Sequence, residues 1–215
     1  MAAEENKSID PAELKRREEE SKYKNYFAYI GRAGADKLLA WLEKNGFFNA
    51  PASTKYHGAY AGGLVEHSNN VFNRLLRLAQ EEDTRNGRQY AKYTVDTLAA
   101  VALLHDICKA DAYKTEKKSQ KIDGKWQEVD QYTYTNHFPV GHSEKSIIQI
   151  MRFMELTDEG IMAIRWHMGG FDPATKGGSY EMNYAFAQSE LAAMLHIADM
   201  MATHLDEREV PERAQ

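Results

Sequence analysis

Residues 98–109 read Leu98-Ala99-Ala100-Val101-Ala102-Leu103-Leu104-His105-Asp106-Ile107-Cys108-Lys109, and the fold turns on this stretch. It is rich in Ala and Leu and apolar almost all round. A helix of that kind has no polar face to offer water, so it belongs at the centre with other helices packed around it. The pattern predicts a helix from about Thr94 to Lys109. Upstream, a long helix is expected from Gly62–Gly63 to about Glu82, because Leu64, Val71, Leu75 and Leu78 fall at helical spacing. A shorter one is expected over Ala35 to Asn45, stopped by Gly46, with a loop from Phe47 to Tyr60 leading into the core. Downstream, helices are expected over Ser143 to Leu156, Asp158 to Met168 and Ala185 to Leu205, with a Gly-rich loop between Gly169 and Tyr180.

One segment breaks this pattern. Between Tyr113 and Asn136, the residues Lys125-Trp126, Val129 and Tyr132-Thr133-Tyr134-Thr135 favour strands, and Asp123-Gly124 is a hairpin-turn signal. The expected fold is all-α with a small inserted β-hairpin. Residues 1–23 are dominated by Glu, Lys and Arg and read as a charged tail or frayed helix starting at Asp10-Pro11-Ala12-Glu13. The domain proper is expected over residues 24–215.

A length of 215 residues supports one domain with a substantial core. A net charge of -5 opposes bulk coating of nucleic acid but allows a local basic strip. Cys108 is the single cysteine. An intrachain disulfide is therefore impossible, in keeping with a reducing, cytoplasmic setting. The polar N-terminus has no signal-peptide core, and no apolar run approaches the ~20 residues that span a bilayer. No membrane partner is expected.

The informative positions are ionisable groups on apolar faces. His67 lies on the stripe of Leu64 and Val71, His105 continues Leu98, Val101 and Ala102, Asp199 shares a face with Leu191, Leu195 and Ala202, and His167 ends the series Ile161, Ile164. A core-facing carboxylate is costly unless paired or bound to a cation. Each residue alone has a plain structural explanation, such as a histidine bonded to a backbone carbonyl. Several imidazoles and carboxylates converging from separate helices instead describe a metal site in a helical core.

In this context the chain resembles the HD-domain metal-dependent phosphohydrolases. The matching text is Tyr56-His57, Gly62-Gly63-Leu64-Val65-Glu66-His67-Ser68, Leu103-Leu104-His105-Asp106-Ile107-Cys108-Lys109, Gly141-His142-Ser143, Arg165-Trp166-His167 and Leu195-His196-Ile197-Ala198-Asp199. The resemblance implies an HD-type helical bundle in which His67, His105, Asp106 and Asp199 hold one metal. His142 and His167 match the positions that hold a second metal bridged by Asp106. Cys108 stands where the family often has Gly, and is read as packing.

The resemblance also implies phosphoester hydrolysis on a nucleotide-like substrate, by water activated at one or two divalent ions. Asp106 and Lys109 are the catalytic candidates, Lys109 by offering its charge to a phosphate oxygen. Imidazole-rich ligation favours Mn, Fe, Co, Ni or Zn over Mg. Substrate contacts are expected from His57, Lys109, Lys114 and Arg165. Lys114, Lys117, Lys118, Lys121 and Lys125, interleaved with Tyr113, Trp126 and Tyr132, suit a nucleotide or a short single strand; a solvated hairpin edge would need similar residues. Two alternatives stand beside the leading reading: a phosphodiesterase or nuclease on short single strands or cyclic dinucleotides, and a non-catalytic metal-stabilised nucleotide-binding module. Oligomeric state is not legible in the chain.

Overall fold

A computed structural model describes residues 10–122 and 124–208. The centre is α4 (Val95–Leu104), whose residues from Leu98 to Leu104 are all buried. Thr94 caps it by accepting from Thr97 N. Burial of each large apolar side chain in such a helix contributes roughly 1.5–3 kcal/mol relative to exposure. The long helix α3 (Gly63–Arg85) packs against α4 along its apolar face and also against α9 (Glu190–Met201). α5 (His142–Met151) and α6 (Asp158–Trp166) pack on one another, and α6 also lies on α9. The remaining helices are α2 (Ala35–Lys44), the single turn α7 (Pro173–Lys176) and α8 (Glu181–Gln188).

The first helix, α1 (Pro11–Phe27), runs unbroken past the division expected between residues 23 and 24. Asp10 caps it by accepting from Ala12 N, and Pro11 starts it. Its outer face is charged, but Tyr23 and Phe27 are buried. The Tyr23 hydroxyl donates to Leu103 O at 3.1 Å, and its ring packs against Phe27, Phe47 and Phe48. Two aromatic anchors one turn apart fasten α1 to the core, so residues 10–23 belong to the helical body. Residues 1–9 of the expected tail lie outside the described residues.

Between α4 and α5 the chain makes a two-stranded antiparallel ribbon, β1 (Tyr113–Ile122) with β2 (Lys125–Tyr134). Its register pairs Tyr113 with Tyr134 at the base and Ile122 with Lys125 at the tip. Of the expected Asp123-Gly124 turn, Asp123 lies outside the described residues, while Gly124 has φ of 80°. The architecture is thus all-α with one hairpin.

Two helix ends depart from expectation. α4 stops at Leu104 instead of Lys109, and Ile107–Lys109 form a separate 3-10 turn. The stop carries no Gly or Pro; Asp106 leaves the helical conformation with φ of -113°, and Cys108 N turns to donate to Ser146 Oγ of α5. The expected helix over Ala185 to Leu205 is divided at Ser189, which is extended and caps α9. Beyond Met201 the backbone widens into a π-helical turn, Ala202–Asp206.

Candidate metal centre

Four helix ends and one helix face meet at a cavity of about 410 Å³. His67 lies in the first turns of α3. Two glycines at that helix start admit the neighbouring loop. Gly62 has φ of 85°, and a Cβ on Gly63 would stand 2.1 Å from Gly58 O. The loop is pinned by Ser53, whose hydroxyl donates to His57 O and accepts from Tyr56 N. Together these contacts bring the His57 ring to 5.2 Å from that of His67.

His105 and His167 are used in the same way. Each is the residue that ends its helix, α4 or α6, and each Nδ1–H donates to the carbonyl three residues back, Ala102 O at 2.8 Å and Ile164 O at 2.7 Å. This satisfies a terminal carbonyl and aims Nε2 inward. Both Nε2 atoms are buried and without a hydrogen-bond partner. The carbonyl ends of two helices also point their negative partial charge toward this place, which favours a cation.

Asp106 lies among these groups, buried. Its Oδ1 is 2.6 Å from His142 Nε2 and 3.5 Å from His167 Nε2. Its Oδ2 is 2.6 Å from Lys109 Nζ and 3.6 Å from His105 Nε2. Asp199, from α9, sits 3.2 Å from His67 Nε2. Candidate ligand atoms of His67, His105 and Asp106 lie within 4.8 Å of one another, as do those of His105, His167 and Asp199, and of Asp106, His142 and His167. Unpartnered buried imidazole nitrogens beside two carboxylates are what a divalent transition ion requires, so the residues present fit such an ion.

The electrostatics match. Burial alone would depress the His67 imidazole, but Asp199 and Glu207 raise it to about 10. Burial likewise opposes charge on His142, which Cys108 and Asp106 raise to about 10. Burial lowers His105 to about 4, keeping it neutral. Asp106 would be raised by burial, yet Lys109, His105 and His142 hold it well below the usual carboxylate range. Without an ion, protons on His67 and His142 neutralise the carboxylates; an ion would replace them.

The six expected ligands His67, His105, Asp106, His142, His167 and Asp199 are therefore brought together, with His57 and Lys109 on the same cavity wall. Two expected substrate contacts are not. Arg165 is engaged by Glu144 at 2.9 Å and Asp172 at 2.8 Å and lies over the Trp166 ring. Lys114 pairs with Thr133 on the ribbon face opposite Tyr113 and Tyr134. Cys108 is buried as expected, with the further feature that Sγ stands 3.3 Å from His142 Nδ1.

One residue escaped the sequence reading. Glu207 receives His67 Nδ1 at 3.1 Å and Asn70 Nδ2 at 3.1 Å. It lies just past the π-helical turn Ala202–Asp206 that follows α9, a place that α-helical spacing does not reveal. Tyr113, Tyr134 and Phe171 also line the cavity, where no role was expected for Tyr134 and Phe171.

The family model described as HD domain matches residues 64–205. This chain belongs to the HD-domain family. A curated relative from Methanocaldococcus jannaschii, named dihydroneopterin 2',3'-cyclic phosphate phosphodiesterase, is 28% identical over 138 residues. The match covers 63% of this chain and 49% of the relative, so the chain spans about half the length of that protein. No solved structure matches. No helix among the described residues is long and apolar enough to cross a membrane.

Proposed function

We propose that this protein hydrolyses a phosphoester of a nucleotide-like substrate, using one or two divalent transition-metal ions held by His67, His105, Asp106, His142, His167 and Asp199. The observation that carries the reading is the pair of buried, unpartnered Nε2 atoms of His105 and His167, gathered with Asp106 and Asp199 at the floor of a cavity that His167, Asp106, Asp199 and Lys109 line. The archaeal relative is named for a cyclic phosphodiester substrate, which supports the same chemistry.

A divalent ion bound there lowers the pKa of water and offsets charge on the phosphoryl group. The chain's own groups do the rest. Glu207 fixes the tautomer and orientation of His67 through Nδ1. Lys109, held on Asp106 Oδ2, keeps a positive charge at the cavity wall, where a phosphate oxygen can take it up. Burial lowers the pKa of His57, whose neutral ring offers one donor and one acceptor to the substrate. Tyr113, Tyr134 and Phe171 add aromatic surface on which a base can stack.

The test is a two-way screen. Protein stripped of metal is reloaded with Mn, Co, Ni, Zn or Mg and assayed on p-nitrophenyl phosphate, bis(p-nitrophenyl) phosphate, nucleoside monophosphates and 2',3'-cyclic nucleotides. Hydrolysis is expected with at least one transition ion and none without metal. Bound metal with no turnover on any substrate would replace this reading with the non-catalytic nucleotide-binding module.

A further inference from the structure

A second cavity, of about 510 Å³, adjoins the metal centre and shares two wall residues with it, Lys109 and Tyr113. Its other walls include Lys44 at the end of α2, Asp111, and Thr115 and Tyr132 of the ribbon. The ribbon register explains why one surface serves both cavities. Tyr113 pairs with Tyr134 and Thr115 with Tyr132, so these four side chains occupy one face. Tyr113 and Tyr134 look onto the metal centre, and Thr115 and Tyr132 onto the second cavity.

We infer that the substrate is a phosphodiester with a nucleotide on each side of the scissile phosphate, the second nucleotide seated in this adjoining cavity. The inference rests on the phosphoester reading above and names its substrate class. The chemistry of the lining matches each part of a nucleotide. Tyr132 supplies an aromatic face for the base. Asp111, an acceptor held at φ of 57°, and Thr115 suit ribose hydroxyls. The Lys44 ammonium suits the next phosphate along the strand. Lys109 stands between the two cavities, where a phosphate linking two nucleotides must lie. Past the second cavity the same ribbon face is of mixed charge, with Lys117 3.9 Å from Glu128, so the aromatic and basic seat ends at Tyr132 and Lys44 and suits one further nucleotide.

The experiment compares a substrate that fills both cavities with one that fills the first. The linear dinucleotide pApA and thymidine 5'-p-nitrophenyl phosphate are assayed on the metal-loaded protein. The ratio of their kcat/KM values should fall about tenfold in Lys44→Ala and in Tyr132→Ala. It should hold in Gln120→Ala, on the opposite ribbon face. An unchanged ratio in both variants overturns the inference while leaving phosphoester hydrolysis standing. Binding supplies a readout free of turnover. Fluorescent pApA should bind the metal-free protein about tenfold more weakly in both variants than in the wild type, and equal affinity overturns the second seat. Failure of every ester to turn over, with the binding difference intact, would instead count against hydrolysis alone.

Discussion

The metal centre and the ribbon are built on opposite principles within one chain. At the centre, His67, His105, Asp106 and His167 are at most 3% exposed, and each polar atom has a partner or is held ready for one. On the ribbon, strand β1 is exposed from Lys114 to Lys121 and packs chiefly on β2. The helical body must exist for the centre to exist, since its groups come from α3, α4, α5, α6 and α9. The ribbon hangs from that body by its base, where Thr135 N donates to Ala112 O at 2.7 Å. The candidate ligands thus sit in the core, and the proposed substrate seat lies partly on an appendage whose loss is expected to cost the core little.

Asp106 concentrates the contacts of the centre, touching His142, His167 and Lys109 at once. Asp106→Ala removes a group shared by two of the three triads of expected ligands, those with His67 and His105 and with His142 and His167, and leaves Lys109 facing a buried void. Metal content measured after dialysis should drop from the wild-type level to near zero, with turnover lost at least about a thousandfold. Full metal content in this variant would break the assignment of Asp106 as the bridging group.

Next in size is Glu207, which acts on the centre through His67. A carboxylate that orients a ligating histidine is worth about 10–100-fold in metal affinity. Glu207→Ala should weaken metal binding by that factor, as read by competition with a chelator. Glu207→Gln keeps a hydrogen-bond acceptor for His67 Nδ1 and should recover most of the loss. Equal affinity in Glu207→Ala and wild type would reduce the contact to incidental packing.

These two residues also mark how far the sequence could be read. Asp106 was legible through the resemblance, as the partner of His105 in the His-Asp pair, whereas Asp199 was legible from its place on an apolar stripe, where a carboxylate is too costly to be idle. The helical body was legible for the same reason of periodicity, and the ribbon through its aromatic and β-branched run. Glu207 was hidden because it follows the last amphipathic turn, and a π-helical segment intervenes before it reaches His67. The stop of α4 at Leu104 was hidden because its cause is a contact with α5, absent from the local sequence. The face that Lys114 occupies was not legible, because alternation gives two faces and only the pairing at the base says which one looks at the cavity. Arg165 offered no local sign of its partner across the chain, Glu144, or of the turn that Asp172 caps.

The smallest effect is expected at the ribbon, and it tests the independence of the two regions. Replacing Thr115–Tyr132 by Asn-Gly joins Lys114 to Thr133, which already face one another across the two strands. The native turn follows the Ile122–Lys125 pair, eight residues along β1 from Lys114. An even shift preserves the type of pair that flanks the turn, so a two-residue Asn-Gly turn closes the stub without changing register. A two-stranded ribbon that packs mainly on itself is marginal and contributes little to the stability of the body. The shortened protein should melt within about 3 °C of the wild type, since about 1 kcal/mol shifts a domain of this size by roughly 2–4 °C. Its metal affinity should stay within about twofold, because the ligands reside on helices that the ribbon does not hold in place. A large fall in melting temperature with metal lost in parallel would show that the ribbon supports the centre, and the division of labour between core and appendage would fail.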